Sequence, residues 1–167
     1  MNRLVSRVLS KYTRFSLPRL QFQNIRFSNS FPLRDYQQKA IDLILESSNS
    51  GVKRQAIEMA TGSGKTVVFS HLIPLLKQKG TRALILAHTQ ELITQSRDKI
   101  NKVNPDLKVG IEMGKVRSKP DDDVVVASVM SLARSNRLER FNPNEFKTII
   151  IDECHHAVAP SYLKILK

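Results

Sequence analysis

The sequence predicts an α/β fold in which a parallel β-sheet is covered by helices on both faces. Continuous apolar runs at 83–87 and 124–127, and the stretch 147–151 that ends in three isoleucines, are typical of strands that are buried on both sides. Stretches with helical periodicity separate these runs, as an alternation of strands and helices requires. Polar residues suited to phosphate and cations follow two predicted strands, and ligands of such sheets bind at the carboxyl ends of the strands. These observations together place a ligand site at one edge of the sheet.

The chain has 167 residues, of which 41% are hydrophobic, and this is enough for one domain with a real core. No apolar run approaches the roughly 18 residues that a membrane span needs, so we expect a soluble protein without membrane contact. The single cysteine, Cys154, excludes an internal disulfide and fits a reducing compartment. Aromatic residues make up only 6%, so few surfaces for stacking bases are expected.

The basic charge is concentrated at the start of the chain. More than half of the net charge of +12 lies in residues 1–34, which hold seven Lys/Arg and no acidic residue. Four of these cations recur at helical spacing beside an apolar face, at Arg3, Arg7, Lys11 and Arg14. This pattern is typical of a mitochondrial transit peptide, and the alternatives are a basic nucleic-acid arm and a disordered tail. We therefore expect a disordered or helical leader at 1–27, a domain at 28–167 and a location in the mitochondrial matrix.

The first predicted elements of the mature chain surround a glycine-rich turn. An amphipathic stretch predicts a helix from 33 to about 47, and the apolar run 56–59 predicts a strand. The glycine turn follows this strand and opens a helix over 65–79. Because proline lacks the backbone N–H, Pro74 is expected to kink that helix.

The remaining elements continue the alternation. In chain order we expect strand 83–87, a helix from its cap Thr89 to 103, a short strand at 109–112, strand 124–127, a turn and helix at 128–137, strand 147–151 and a helix from 161. The polar loop at 114–123 carries three basic residues followed by three acidic ones. Because these charges nearly cancel, the sequence favours a solvated loop over a nucleic-acid patch.

The glycine turn has the composition of a phosphate-binding loop. In Gly62-Ser63-Gly64-Lys65-Thr66, the glycines allow a sharp turn that directs backbone N–H groups inward. The helix that starts at Lys65 adds its free N–H groups and the positive end of its dipole. Lys65 can reach the outer phosphates of a nucleotide, and the Thr66 hydroxyl can bind Mg²⁺. The alternative is a glycine loop with a solvated lysine.

An acidic pair follows the last predicted strand. Asp152 and Glu153 at the tip of a buried strand are costly unless they meet a cation, which Mg²⁺ bound to phosphates would supply. In that arrangement Asp152 holds the metal, and Glu153 orients and deprotonates the attacking water. The adjoining Cys154, His155 and His156 cannot easily converge on one ion, so no metal site is expected there, and Cys154 is expected to be packed.

Near the start of the first helix, Gln37 and Gln38 could read adenine, because an amide can donate to and accept from its edge at once. The alternative is a polar surface residue.

Five motifs, in order, resemble those of the first RecA-like lobe of superfamily 2 helicases of the DExH type. They are the adenine-reading Q motif Leu33-Arg34-Asp35-Tyr36-Gln37, motif I Ala60-Thr61-Gly62-Ser63-Gly64-Lys65-Thr66, motif Ia Ala87-His88-Thr89-Gln90-Glu91-Leu92, motif Ic Ala127-Ser128-Val129-Met130-Ser131-Leu132, and a DECH form of motif II, Asp152-Glu153-Cys154-His155. With its leader, the chain is most similar to mitochondrial DNA helicases of the fungal type.

The resemblance implies ATP hydrolysis with Mg²⁺ that drives movement on nucleic acid, with DNA favoured over RNA. It implies a catalytic set, an ATP-binding set, a nucleic-acid set and a coupling residue. The implied catalytic residues are Lys65, Asp152 and Glu153. The implied ATP-binding residues are Arg34, Gln37, Thr61, Gly62, Ser63, Gly64, Lys65 and Thr66. The implied nucleic-acid residues are Thr89, Gln90 and Ser128, and the implied coupling residue is His155.

Motif III and the second RecA-like lobe of such helicases are not present in these 167 residues. Because the family's motif III strand lies in the centre of the sheet, we expect the isolated chain to be marginally stable or unfolded and not competent for turnover. Two alternatives to a helicase lobe remain: a truncated ATP-binding or inhibitory module without catalysis, and another phosphate-loop protein such as a small kinase or transporter ATPase. The Q-like motif and the DECH sequence argue against the last.

Overall fold

The computed structural model describes residues 31–134 and 136–166. Its helices and strands are α1 (Asp35–Asn49), α2 (Lys65–Leu76), β1 (Arg82–Ala87), α3 (Gln90–Val103), β2 (Val109–Glu112), β3 (Val124–Ser128), α4 (Val129–Ala133), β4 (Phe146–Ile151) and α5 (Pro160–Leu166). Single turns of 3-10 helix lie at Leu138–Arg140, Pro143–Glu145 and Cys154–His156. The predicted leader and its boundary after residue 27 lie outside the described residues. Within the described part of the chain, every helix is too short or too polar to cross a lipid bilayer.

The four strands form one parallel sheet in the order β2-β3-β1-β4. The register aligns the carboxyl ends of the two central strands, so that Ala87 of β1 lies beside Ser128 of β3. Leu86 of β1 lies in the same way beside Ile151, the last residue of β4. The segments that follow these strands therefore meet at one edge of the sheet, as the predicted fold requires.

Alternate side chains of the central strands face opposite layers, because successive residues of a strand point to opposite faces. On one face, Ile85 and Val126 pack with α2 and α3 in a cluster that includes Phe69, Ile73, Ile93 and Ile100. On the other face, Leu86 and Val125 pack with α4 and α5 in a cluster that includes Val129, Leu132 and Tyr162. Both faces of the sheet are covered, and the predicted α/β fold is confirmed.

The proline inside α2 frees a backbone carbonyl that a distant side chain then satisfies. Pro74 cannot donate to the carbonyl of Ser70, one helical turn earlier. The buried Asn104, at the end of α3, donates its side-chain amide to that carbonyl at 2.7 Å. The helix continues only to Leu76, three residues short of the predicted end at Lys79.

Two expectations about strands were wrong. The run 56–59 is not a strand, since residues 52–60 lie outside the sheet and Ile57 is 42% exposed. The predicted fourth buried strand, β4, is an edge strand, and its Ile149 is 44% exposed. The reason is the same in both cases, because an apolar run becomes a buried strand only where another strand pairs with it. No described strand pairs with the outer edge of β4.

Candidate nucleotide-binding site

The phosphate loop has the left-handed turns that its glycines permit. Gly62 and Gly64 have φ angles of 77° and 83°, and Gly64 is the N-cap of α2, which begins at Lys65. A Cβ atom at Gly64 would lie 2.6 Å from the Nε2 atom of Gln37. Glycine is therefore required at this position both by the backbone conformation and by the close approach of α1.

Two side chains at the start of α1 donate hydrogen bonds to the same backbone carbonyl of the phosphate loop. The side chain of Gln37, only 4% exposed, donates from Nε2 to the Ser63 carbonyl at 2.8 Å and accepts from the Arg34 N–H at 3.0 Å. The Tyr36 hydroxyl donates to the same carbonyl at 2.9 Å and accepts from the Arg34 guanidinium at 3.2 Å. Gln37 thus touches the loop, and its reading of adenine stays a prediction. Sequence reasoning missed the contact of Tyr36, because a tyrosine at the start of an amphipathic helix resembles an ordinary packing residue.

The acidic pair lies opposite the loop lysine. The Asp152 N–H extends the sheet by donating to the Leu86 carbonyl at 3.0 Å. Glu153 then adopts a left-handed conformation, with φ 58° and ψ 56°. Its carboxylate lies 3.8 Å from the Lys65 ammonium and 3.4 Å from Nδ1 of His155. The sheet edge therefore brings together Lys65, Glu153 and His155, which are separated by almost 90 residues in the chain.

Burial and the neighbouring Glu153 carboxylate raise the pKa of Asp152 above the usual range of a carboxyl group. The backbone N–H of Glu153 and the charges of Lys65 and His88 oppose this rise. A divalent ion bound beside Asp152 would favour its charged carboxylate and so oppose this rise.

The donor set fits a nucleotide phosphate with Mg²⁺. The Ser63 hydroxyl is buried within the loop and has no hydrogen-bond partner among the described residues, so a donor remains for a phosphate oxygen. Thr66 and Asp152 supply oxygen atoms of the kind that Mg²⁺ prefers and are the residues that would hold it. Thr61 and Gly62 are exposed at the mouth of the loop.

The predicted nucleic-acid residues follow the two central strands. Thr89 and Gln90 are exposed at the carboxyl end of β1, and Ser128 ends β3 beside Ala87. The hydroxyls of Thr89 and Ser128 cap α3 and α4, accepting from the N–H groups of Leu92 at 3.2 Å and Ser131 at 3.3 Å. The N-cap predicted at Thr89 is confirmed, and the contacts of these residues with nucleic acid stay predictions.

The expected packing of Cys154 was wrong, since this residue is exposed in the 3-10 turn after β4. The turn follows an edge strand and so has little covering it. Among the residues that the structure describes, no three His, Cys, Asp or Glu side chains are grouped to hold a metal by themselves. The ligands of Mg²⁺ at the phosphate loop would include the nucleotide's own oxygens.

A basic group at the far side of the same edge was also missed. Arg117, Arg137 and Arg140 surround the buried carboxylate of Glu112 at the end of β2. These four residues are spread over almost 30 positions and form no motif, so no sequence signal could have grouped them.

Comparisons with known proteins agree with this geometry. The family described as "Type III restriction enzyme, res subunit" matches residues 30–167. The chain is 49% identical over 142 residues to IRC3 of Saccharomyces cerevisiae, named as a candidate ATP-dependent helicase. It is 41% identical over 138 residues to irc3 of Schizosaccharomyces pombe, named as a candidate mitochondrial ATP-dependent helicase. The matches cover 80% and 81% of this chain but only 20% and 23% of those proteins.

Two solved structures show the same fold. The SWI2/SNF2 ATPase core of Sulfolobus solfataricus in complex with dsDNA superposes with a TM-score of 0.66 at 20% identity, over 80% of this chain and 28% of that one. The UvsW helicase of bacteriophage T4 superposes with a TM-score of 0.62 at 22% identity, over 80% of this chain and 47% of that one. Because the family match spans residues 30–167, with the fold and motif order described above, the chain belongs to the Type III restriction enzyme res subunit family and is a first RecA-like lobe of a superfamily 2 helicase.

Proposed function

We propose that this chain binds ATP with Mg²⁺ and forms the hydrolysing face of a nucleic-acid helicase or translocase in mitochondria. One observation carries the proposal. The loop lysine lies 3.8 Å from Glu153 of the acidic pair at the carboxyl edge of a parallel sheet, and the loop also holds a buried Ser63 hydroxyl without a partner among the described residues. This is the place and the donor set for a nucleoside triphosphate.

The resting contact between Lys65 and Glu153 is weak enough to open. Both side chains are more than one-third exposed, and exposed ion pairs contribute little to stability. When a triphosphate enters, Lys65 turns to its outer phosphate, and the loop N–H groups at 62–66 stabilise the phosphoryl oxygens. Bound Mg²⁺, held by Thr66 and Asp152, would neutralise charge on those oxygens.

The release of Lys65 frees Glu153 to act as the general base. Its carboxylate can then accept the proton of a water molecule that attacks the outer phosphate. His155, 3.4 Å from this carboxylate, holds the base in position and provides a route by which the state of the nucleotide reaches the next segment of the chain. Arg34 and Gln37 support the loop from α1 and lie where a nucleotide base would be recognised.

The nucleic acid is proposed to lie on the exposed ends of the two central strands, across Thr89, Gln90 and Ser128. Ser128 lies beside Ala87 in the register, and Thr89 and Gln90 follow Ala87 closely in the chain. The preference for DNA over RNA is supported by the similar Sulfolobus ATPase core, which is in complex with dsDNA. Recognition through the phosphate backbone suits a chain poor in aromatic residues.

A mitochondrial matrix location is proposed from the basic leader at 1–27 and from the name of the Schizosaccharomyces pombe relative. Residues 1–35 fused to a fluorescent protein should direct it to mitochondria. A fusion that stays in the cytosol would remove the transit-peptide assignment.

The proposed activity is tested by measuring ATP hydrolysis with and without single- and double-stranded DNA and RNA. In a protein that also carries the second RecA-like lobe, turnover that rises with nucleic acid and is lost in Lys65→Ala is the expected result. Turnover that ignores every nucleic acid would favour another class of phosphate-loop enzyme.

A second candidate function, ATP binding without turnover, is favoured by one observation. Residues 52–60, which lead into the phosphate loop, are not part of the sheet, so no strand directly before the loop fixes it to the sheet. Under this alternative, the chain binds ATP in a Lys65-dependent manner and shows no hydrolysis with any nucleic acid.

A further inference from the structure

We propose that Arg117 and Arg140, gathered around the buried carboxylate of Glu112, bind phosphate groups of the nucleic-acid backbone and extend its path to the outer strand of the sheet. This inference rests on the proposed function, since it adds a contact to the nucleic-acid face. Glu112 is the last residue of β2, which pairs with β3 next to the strand end that carries Ser128.

The carboxylate of Glu112 is fully buried and already has good partners. It accepts from the N–H of Ser118 at 3.0 Å, from the Ser118 hydroxyl at 3.2 Å and from the Arg137 guanidinium at 3.2 Å. Arg137 is also only 16% exposed, so this pair satisfies the requirement that a buried charge be neutralised and hydrogen-bonded.

The other two arginines lie near the carboxylate without a direct hydrogen bond to it. The guanidinium groups of Arg117 and Arg140 lie 3.7 and 3.6 Å from the same carboxylate oxygen, beyond normal hydrogen-bond length. Their side chains are 43% and 46% exposed. Three guanidinium groups around one carboxylate leave an excess of two positive charges, with N–H donors open to solvent. Planar guanidinium groups of this kind are well suited to phosphate oxygens.

The acidic residues that nearly cancel these charges in the sequence lie elsewhere in space. Asp121 pairs with Lys108 at 2.8 Å, and Asp123 pairs with Lys77 at 3.0 Å. Asp122 accepts from the N–H of Lys119 at 2.6 Å. These contacts are at the amino edge, where β3 begins, whereas the arginines are at the carboxyl edge, where β2 ends. The solvated loop predicted from the balance of charge at 114–123 is thus divided into an acidic end and a basic end, and Ser118 between them is buried.

The basic group is also joined to the predicted nucleic-acid face. The N–H of Gly114 donates to the Ser131 hydroxyl at 3.1 Å, and Ser131 lies in α4, which Ser128 caps. Arg117 and Arg137 both donate to the Gly114 carbonyl, so the turn after β2 is fixed against α4. Since neighbouring strands are about 4.8 Å apart, the end of β2 lies roughly 10 Å from the end of β1, within reach of a continuous strand of nucleic acid.

The test is the salt dependence of binding by the full chain to two single-stranded DNA 20-mers of unrelated sequence and to their RNA counterparts. Fluorescence anisotropy is recorded between 50 and 200 mM salt for the wild type and for Arg117→Ala/Arg140→Ala. Each lost phosphate contact lessens the slope of log K against log salt by about 0.7 for single strands. We expect the slope to fall by about 1.4 and the affinity at 0.1 M salt to fall about tenfold, equally for both sequences.

The matched control is Lys79→Ala/Lys102→Ala, which also removes two positive charges. Both lysines are exposed, and they lie before β1 and at the end of α3, at the opposite edge of the sheet. This control should keep the wild-type slope. Each single variant, Arg117→Ala or Arg140→Ala, leaves Glu112 with two arginines and should lessen the slope by about 0.7 even if the double variant fails to fold.

The outcomes separate the two proposals. A wild-type chain that binds neither DNA nor RNA overturns the proposed function and, with it, this contact. A wild type that binds while the arginine variants keep the same slope as the lysine control overturns the arginine contact alone. A loss confined to one of the two sequences also contradicts it, because phosphate contacts carry no sequence information.

Discussion

The hydrogen bond between Asn104 and the carbonyl of Ser70 should contribute more to the free energy of unfolding when Pro74 is present than when Pro74 is replaced. Pro74 removes the backbone donor that an α-helix normally offers to that buried carbonyl, and the Asn104 amide donates to it instead at 2.7 Å. In Asn104→Ala the carbonyl has no partner. In Pro74→Ala/Asn104→Ala the regained N–H of residue 74 can donate to it.

The magnitude follows from the cost of leaving a buried acceptor without a partner, which is about 1–3 kcal/mol. Ser70 has no exposed surface and Asn104 only 5%, so water cannot substitute easily. Both Asn104 variants also leave the same small void, whose cost cancels in a double-mutant cycle. We therefore expect a coupling energy of about 1–2 kcal/mol between positions 74 and 104.

The assay is urea unfolding of the four proteins by far-ultraviolet circular dichroism, with sucrose in every sample to favour the folded state. With a slope of about 2 kcal/mol per molar urea, the midpoint should fall by roughly 0.5–1 M more for Asn104→Ala in the proline background than in the alanine background. Equal shifts in the two backgrounds would refute the argument that Asn104 compensates for Pro74.

Four further predictions concern the site and the stability of the fold. In an intact enzyme, Glu153→Gln should keep ATP binding and lose roughly 10²–10⁴ in turnover, and unchanged hydrolysis would remove Glu153 from the mechanism. The raised pKa of Asp152 means that the folded state favours the protonated form of this side chain. The contribution of Asp152 to the stability of the folded state is therefore fully present below the usual carboxyl pKa, and it is lost as pH rises through the pKa of the folded state. Asp152→Asn should therefore melt higher than the wild type at neutral pH and equally in acid, while hydrolysis is abolished; a lower melting temperature at neutral pH would contradict this. A Cβ at Gly110 would lie 1.8 Å from the Asp122 carboxylate, so Gly110→Ala should lower the yield of folded protein and Gly110→Ala/Asp122→Ala should restore part of it. The isolated chain should melt below about 45 °C, because no strand among the described residues pairs with the outer edge of β4, and a cooperative transition above that temperature would be inconsistent with this account.

The candidate nucleotide site could be recognised in the sequence because its chemistry is local. The glycine turn and the first residues of α2 form a phosphate loop within a few positions, and Asp152 and Glu153 are adjacent. The rule that ligands bind at the carboxyl ends of parallel strands then brings the two motifs together without a structure. The separation of 3.8 Å between Lys65 and Glu153 agrees with that rule.

The wrong expectations about the run 56–59, strand β4 and Cys154 have one cause, which is that the sequence does not show which strands pair in the sheet. The run 56–59 and strand β4 were expected to be buried on apolar content, but their exposure depends on which strand lies beside each of them. The exposed position of Cys154 follows from the same edge. Apolar content shows that a segment can be buried, and only the order of the strands shows whether it is.

The sequence by itself determined the alternation of strands and helices, the cap at Thr89 and the residues of the nucleotide site, because periodicity, capping and loop chemistry act over a few residues. Only the tertiary structure decided the strand order, the bond from Asn104 to the carbonyl freed by Pro74, and the gathering of arginines around Glu112. Most of those features join positions far apart in the chain, and their free energies depend on burial and distance, which exist only once the chain has folded.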